Sequence, residues 1–260
     1  MIEAIQNVLR EVGEKLLDMR VHESVTGKWE KSQLKSNADI IAERLILNCL
    51  RNLTPNIPII SEESKKSHNF DRTGKYWLID PLDGTASFFE GYPGFVSQVA
   101  LMKGAVPIMS AVYAPVSNHM YIAKRNFGSW RNDKKLKVSS DLGKPVLIDN
   151  YPKPRGIANK IVTELPCSDY IECGSIGLKI CKVAENSAHL FVKNVTVRAW
   201  DVAPGDLILS EAGGCLHDFN SNPFLYEGKI EKDDGLVASC SRKLGANVCN
   251  FMLKGSQIER

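Results

Sequence analysis

The chain has 260 residues, enough to bury a substantial core as one large domain or two compact halves. Its 43% hydrophobic and 24% charged content is that of an ordinary soluble globular protein. A formal net charge of +3 gives no argument for a nucleic-acid or membrane partner, and the Lys134-Lys135-Leu136-Lys137 cluster reads as a solvated hairpin face.

A first amphipathic helix is predicted over residues 2–19, where Ile5, Val8, Leu9, Val12, Leu16 and Leu17 recur at helical spacing. Residues 25–34 are polar and read as a loop. Ser36 then opens a second helix reaching about Asn52, with Ser36 as its cap and Asp39 in the first turn, where the macrodipole favours a carboxylate. A short strand over residues 56–60 ends at Ser61-Glu62-Glu63-Ser64, and acids in that position are ordinarily solvated.

The stretch from Tyr76 to Thr85 is different. An apolar, β-prone run to Ile79 stops at two carboxylates three apart, Asp80 and Asp83, and Pro81 predicts that the strand ends there. Gly84 permits an unusual backbone angle, and Thr85 is placed to cap a short helix. Asp80, Asp83 and the Leu82 carbonyl form a hard, oxygen-only donor set that suits Mg²⁺ better than zinc. N–H groups at Gly84 and Thr85 beside that cation outline a phosphate site.

Strands over residues 96–102, 107–113 and 119–123 suggest a largely antiparallel sheet covered by the helices. A composition break over residues 139–145 marks a boundary, giving halves 1–140 and 141–260. Beyond it come a strand at 146–150, loop and helix at 153–165, a turn at Gly174-Ser175 entering a helix that carries Lys179, and a strand at 188–192. In the last motif, Trp200-Asp201-Val202-Ala203 opens a helix that ends at Glu211-Ala212-Gly213-Gly214. Asp201 is placed as its N-cap, Pro204 in its first turn and Gly213 as its stop.

Seven cysteines lie scattered with no C-x-x-C pair, so reduced thiols are expected rather than zinc or disulfides. No run of about eighteen apolar residues occurs. The first residues lack the apolar core of a signal peptide, and a cytoplasmic location is expected.

Four segments together carry a resemblance. Ala38-Asp39, Glu62-Glu63, Asp80-Pro81-Leu82-Asp83-Gly84-Thr85 and Trp200 to Gly214 are similar, in that order, to the signatures of the lithium-sensitive, Mg²⁺-dependent phosphomonoesterases. That superfamily includes inositol monophosphatase, fructose-1,6-bisphosphatase and 3′(2′),5′-bisphosphate nucleotidase. The resemblance implies a layered αβαβα sandwich, α/β (α+β), with an antiparallel sheet in the N-terminal half and a second, mixed sheet in the C-terminal half. It implies metals held by Glu62, Asp80, the Leu82 carbonyl, Asp83 and Asp201, with Glu63 behind them. Glu62 and Thr85 would position the attacking water, Asp39 orienting Thr85. Asp83, Gly84, Thr85, Gly174, Ser175, Lys179 and Asp201 would meet a small phosphorylated substrate, in a monomer or homodimer. The lead-in Lys31-Ser32-Gln33-Leu34-Lys35 departs from the family's Lys-rich, Pro-containing loop. Asn194 stands where inositol monophosphatases carry a Glu, and the segment from Gly174 to Glu185 is closer to the G-S-x-L-K-x-C-x-V-A-E pattern of the nucleotidases. The nucleotidases' Lys-Glu after D-G-T is here Ala86-Ser87. The preferred reading is a nucleotidase converting 3′-phosphoadenosine 5′-phosphate to AMP. An inositol monophosphatase and a non-catalytic, metal-binding regulatory module are the alternatives.

Overall fold

The computed structural model describes residues 1–22, 25–30, 33–139 and 143–255. Helix α1 (Ile2–Val21) buries Ile5, Val8, Leu9, Val12, Leu16 and Met19 along one stripe, as its periodicity predicts. Where a loop is expected from polar composition, β1 (Gly27–Glu30) and β2 (Gln33–Ser36) pair as an antiparallel hairpin, with residues 31–32 outside the described set. Main-chain pairing can hold such a ribbon, and side-chain polarity does not report it. Helix α2 (Asn37–Leu53) starts on a capping box: the Ser36 N–H donates to Asp39 Oδ2 at 2.8 Å while Ser36 Oγ accepts from the Asp39 N–H at 3.4 Å.

After β3 (Ile59–Ser61) and a 3₁₀ turn at Lys65–Asn69 comes β4 (Lys75–Asp83), then the short α3 (Thr85–Phe89). A meander follows: β5 (Val96–Lys103), β6 (Val106–Ala114), β7 (His119–Lys124), β8 (Gly128–Arg131) and the exposed pair β9 (Lys134–Lys135). These seven strands form one sheet in chain order, antiparallel throughout except for the parallel pair β3–β4. Strand β4 runs past Pro81 rather than ending there, because the missing N–H falls where the register with β5 slips between Asp80 and Asp83.

The remaining elements are β10 (Val146–Asp149), α4 (Gly156–Glu164), β11 (Asp169–Glu172), α5 (Ile176–Ala184), β12 (Leu190–Lys193), β13 (Val197–Arg198), α6 (Ala199–Glu211), β14 (Cys215–His217), β15 (Glu231–Lys232), β16 (Leu236–Ser239) and α7 (Arg242–Gly255). Five of the strands make a second, mixed sheet in the order β11-β10-β12-β16-β14. Strand β11, Asp-Tyr-Ile-Glu, is too short and polar to be read from its sequence.

Three apolar cores separate five layers. Helices α1 and α2 pack on one face of the first sheet through Leu9, Ile46, Trp77 and Val99. Helices α5 and α6 fill the space between the two sheets, burying Tyr76, Tyr121, Trp200, Leu207, Phe191 and Leu236. Helices α4 and α7 cover the far face of the second sheet through Leu147, Ile161, Val192 and Val248. This is the αβαβα sandwich. Helix α6 is apolar on nearly every side because it is enclosed on nearly every side. Its start differs from expectation: Arg198 is the cap, Asp201 is third in the helix, and Pro204 lies inside it. Gly213, at φ +95°, ends it: the Gly213 and Gly214 N–H groups donate back to Ser210 O and Leu209 O. All seven cysteines are free thiols. Among the described residues no helix is long and apolar enough to cross a membrane.

One buried charge ties the first sheet to α5. Glu185, its side chain 2% exposed, accepts from Arg131 Nη1 at 2.6 Å, Lys182 Nζ at 2.8 Å and Tyr121 Oη at 2.9 Å. Burial opposes its charge, but the hydrogen bonds from Lys182, Ser187 and Arg131 prevail and pull its pKa down to about 2. Stability from this carboxylate is present above the unfolded value of 4.5 and is lost as pH falls through about 2. Glu185→Gln should cost about 3 kcal/mol at neutral pH. Denaturant titrations should show the gap to wild type closing between about pH 4.5 and pH 2; a gap independent of pH would refute this account.

Candidate active site

The end of β4 and the start of α3 supply the centre. Gly84 takes φ +90°, and a Cβ there would sit 2.7 Å from the Gly94 carbonyl, so only glycine makes this turn. Gly84, not Thr85, is the helix cap. The Thr85 hydroxyl instead donates to the Leu82 carbonyl at 3.0 Å and lies 3.4 Å from Asp39 Oδ1. Asp39 therefore serves two purposes, closing the capping box of α2 and standing behind Thr85.

Three carboxylates from distant segments converge here. Glu62 follows β3, Asp80 sits in β4 and Asp201 in the first turn of α6, and one oxygen of each lies within 4.8 Å of the others. Asp83 adjoins them in charge contact. The three aspartates share a pattern. Asp80 Oδ1 accepts from the Leu82 N–H at 3.1 Å, Asp201 Oδ2 from the Arg198 N–H at 2.9 Å, and Asp83 Oδ2 from Ser175 Oγ at 2.6 Å and the Gly177 N–H at 2.8 Å. Each is oriented through one oxygen, while the other receives no hydrogen bond among the described residues. A Cβ at Gly177 would meet the end of the Gln98 side chain, Oε1 at 2.0 Å, so a larger residue there would displace Gln98 from Asp83.

Burial raises the pKa of every acid in the group. Asp39 is pushed up to about 6 by burial, against the pull of Ser36. Glu62 rises to about 7 through burial and then Glu63, with Arg198 opposing. Asp80 and Asp201 go well above the carboxylate range through burial and then the charge of Glu62. Asp83 is raised by burial, its bonds to Ser175 and Gly177 working the other way. Two like unit charges 4 Å apart repel by about 4 kcal/mol at an effective dielectric of about 20. A hard divalent cation removes that cost, and donors that are all oxygen fit Mg²⁺.

Ser175 caps α5 by accepting from the Leu178 N–H at 2.9 Å while its hydroxyl donates to Asp83. Lys179, expected at the substrate, is fully buried. Its ammonium donates to Asn150 Oδ1 and to the Gly174 carbonyl, and lies 4.8 Å from the Phe191 ring centre, so it supports the Gly174-Ser175 turn from behind. A cavity of about 210 Å³ lined by Ser87, Tyr92, Gly94, Asn150 and Cys173 adjoins Gly174.

Three residues escape sequence reasoning. Gln98, opposite Asp80 in the ladder, donates from Nε2 to Asp83 Oδ2 and the Asp201 carbonyl, each at 3.3 Å. Its signal was a polar side chain interrupting an apolar strand. His68 contacts Ser61 O at 2.8 Å through Nε2 and packs on Trp200 with ring centres 4.8 Å apart, joining the Glu62 loop to α6. Arg198, 3.8 Å from Glu62, has the sequence signal of any surface arginine.

Over residues 1–250 the sequence matches the family described as the Inositol monophosphatase family. The Nus factor SuhB of Pasteurella multocida (strain Pm70) is 35% identical over 207 residues, covering 75% of this chain and 76% of that protein. The 3′(2′),5′-bisphosphate nucleotidase CysQ of Escherichia coli (strain K12) is 30% identical over 240 residues, covering 87% of this chain and 94% of that protein. Among solved structures, an IMPase from Thermotoga maritima shares the fold with a TM-score of 0.81 over 96% of both chains, at 24% identity.

In metal-free protein the raised acids keep protons that the unfolded chain releases near pH 4. Between there and about pH 7, the value for Glu62, this group lowers stability as pH rises. Added Mg²⁺ should raise the melting temperature more at about pH 7.5 than at about pH 5.5, where it must displace protons. Equal shifts at both, or none at either, would argue against a cation site.

Proposed function

Because this chain belongs to the inositol monophosphatase family, a family of phosphatases, we propose that it is a Mg²⁺-dependent phosphomonoesterase whose substrate is a 3′(2′),5′-bisphosphate nucleotide. The observation that carries the reaction type is the convergence of Glu62, Asp80 and Asp201 beside the Thr85–Asp39 pair. In this reading Glu62, Asp80, Asp83, Asp201 and the Leu82 carbonyl hold Mg²⁺. The bound metal lowers the pKa of water and neutralises charge on the transferring phosphoryl group.

The protein's own groups do the rest. Glu62 and Thr85 place the attacking water. Thr85 Oγ gives its proton toward Leu82 O and Asp39, leaving a lone pair to accept from that water. Asp39, fixed by Ser36, stands behind Thr85 and orients its hydroxyl. The turn at Gly84 and Thr85 presents N–H groups to the phosphate. Asp83, held by Ser175 and Gly177, fixes the position of the Gly174-Ser175 turn against the leaving group.

Four observations support the nucleotide over inositol phosphate. CysQ aligns along 94% of its length. The Leu178-Lys179-Ile180-Cys181 segment follows the nucleotidase pattern, and Asn194 lacks the carboxylate that would reach ring hydroxyls. The cavity beside Gly174 offers room for part of a nucleoside. The family's name, and a relative named a Nus factor, sustain the inositol phosphate and regulatory readings.

Phosphate release from 3′-phosphoadenosine 5′-phosphate, inositol 1-phosphate and fructose 1,6-bisphosphate at several Mg²⁺ concentrations decides among them. The nucleotide should show a kcat/KM at least about tenfold above the others; the reverse order would give the chain to inositol phosphate, and no release from any would leave the regulatory role. Asp83→Asn and Asp201→Asn should each lower release by about 10²-fold or more with an unchanged circular dichroism spectrum. Full activity at saturating Mg²⁺ in either would sink the ligand assignment.

A further inference from the structure

Among the described residues, Lys179 and Arg198 both act on the acidic group, and they are placed differently. Lys179 is sealed behind Asp83. Arg198 stands on the solvent side, its side chain 34% exposed, with Nη1 3.8 Å from Glu62 Oε1. That separation is too long for a hydrogen bond, and the guanidinium donates none to the described residues. Its planar fork, one arm in ion-pair contact with Glu62, thus keeps hydrogen-bonding capacity at the rim of the carboxylates.

The main chain beneath this fork is fixed. Arg198 N–H donates to Asp201 Oδ2 at 2.9 Å, β13 pairs with β15 through Arg198 and Glu231, and the Ala199 N–H donates to Ile230 O at 3.0 Å. The guanidinium thus leaves a backbone that already positions one of the three converging carboxylates. Its neighbour Glu62 is an acid that the proposed reaction commits elsewhere, and a carboxylate so committed attracts a nearby guanidinium less.

We propose that Arg198 is a phosphate-binding residue, its guanidinium gripping phosphoryl oxygens of the substrate at the open rim of the site. The inference rests on the phosphomonoesterase reading above. An arginine fork matches two phosphoryl oxygens at once, which a lysine cannot do. It also supplies positive charge to a group that brings about two negative charges to a cluster of acids.

The test uses Arg198→Gln and Arg198→Lys in the full chain. Calorimetry measures Mg²⁺ binding alone and inorganic phosphate binding at saturating Mg²⁺, and steady-state kinetics give KM and kcat for the best ester. Arg198→Gln should weaken phosphate binding and raise KM by about tenfold or more, while Mg²⁺ affinity stays within about twofold. Arg198→Lys should recover only part of the loss. Unchanged phosphate affinity and KM overturn the proposal, as does a fall in kcat alone, which would make Arg198 a positioning residue for Glu62. If wild type releases phosphate from no ester, the reading of the site has failed, and not merely the role of Arg198.

Discussion

Mutual repulsion among buried acids is the constraint that the rest of this structure accommodates. Glu62, Asp80, Asp83, Asp201 and Asp39 are brought together in surroundings that favour their neutral forms. The chain holds them there by giving each aspartate its own donors: Ser36 for Asp39, Leu82 for Asp80, Ser175 and Gly177 for Asp83, Arg198 for Asp201. Orientation comes from one oxygen, and in the proposed reading the other is left for the cation. A site built this way is strained in charge and rigid in geometry, the combination a cation can exploit.

Rigidity comes from the layers. Helix α6 lies between two sheets with Trp200, Val202, Ala203 and Leu207 all buried, so Asp201 cannot drift from the end of β4 without opening the central core. Gln98 stitches the same parts together through Asp83 and the Asp201 carbonyl. His68 packs the Glu62 loop against Trp200. Hydrophobic burial supplies the energy and the polar stitches supply the register.

Helix capping and the proposed roles in the site coincide here rather than compete. Asp39 and Asp201 are both third residues of helices whose carboxylates reach back to the cap N–H. The capping bond freezes the side chain so that its second oxygen projects toward the site. An acid in a first turn is common, and position in the turn alone does not separate the two uses.

Much of this is legible in the amino-acid sequence. The strand, acidic turn and glycine from Tyr76 to Gly84 follow from apolar patterning and the few residues that permit such a turn, and α1, α2 and the meander follow from periodicity. These are local properties, carried by neighbouring residues. The hairpin at β1–β2, the short polar β11, the burial of Lys179 and the placing of Gln98, His68 and Arg198 were not readable. Each depends on what lies across a sheet or behind a turn, often about a hundred residues away. The sequence by itself determined which segments carry acids at strand and helix ends. Only the tertiary structure decided that they share one buried volume, because the burial that perturbs them is produced by layers packing together.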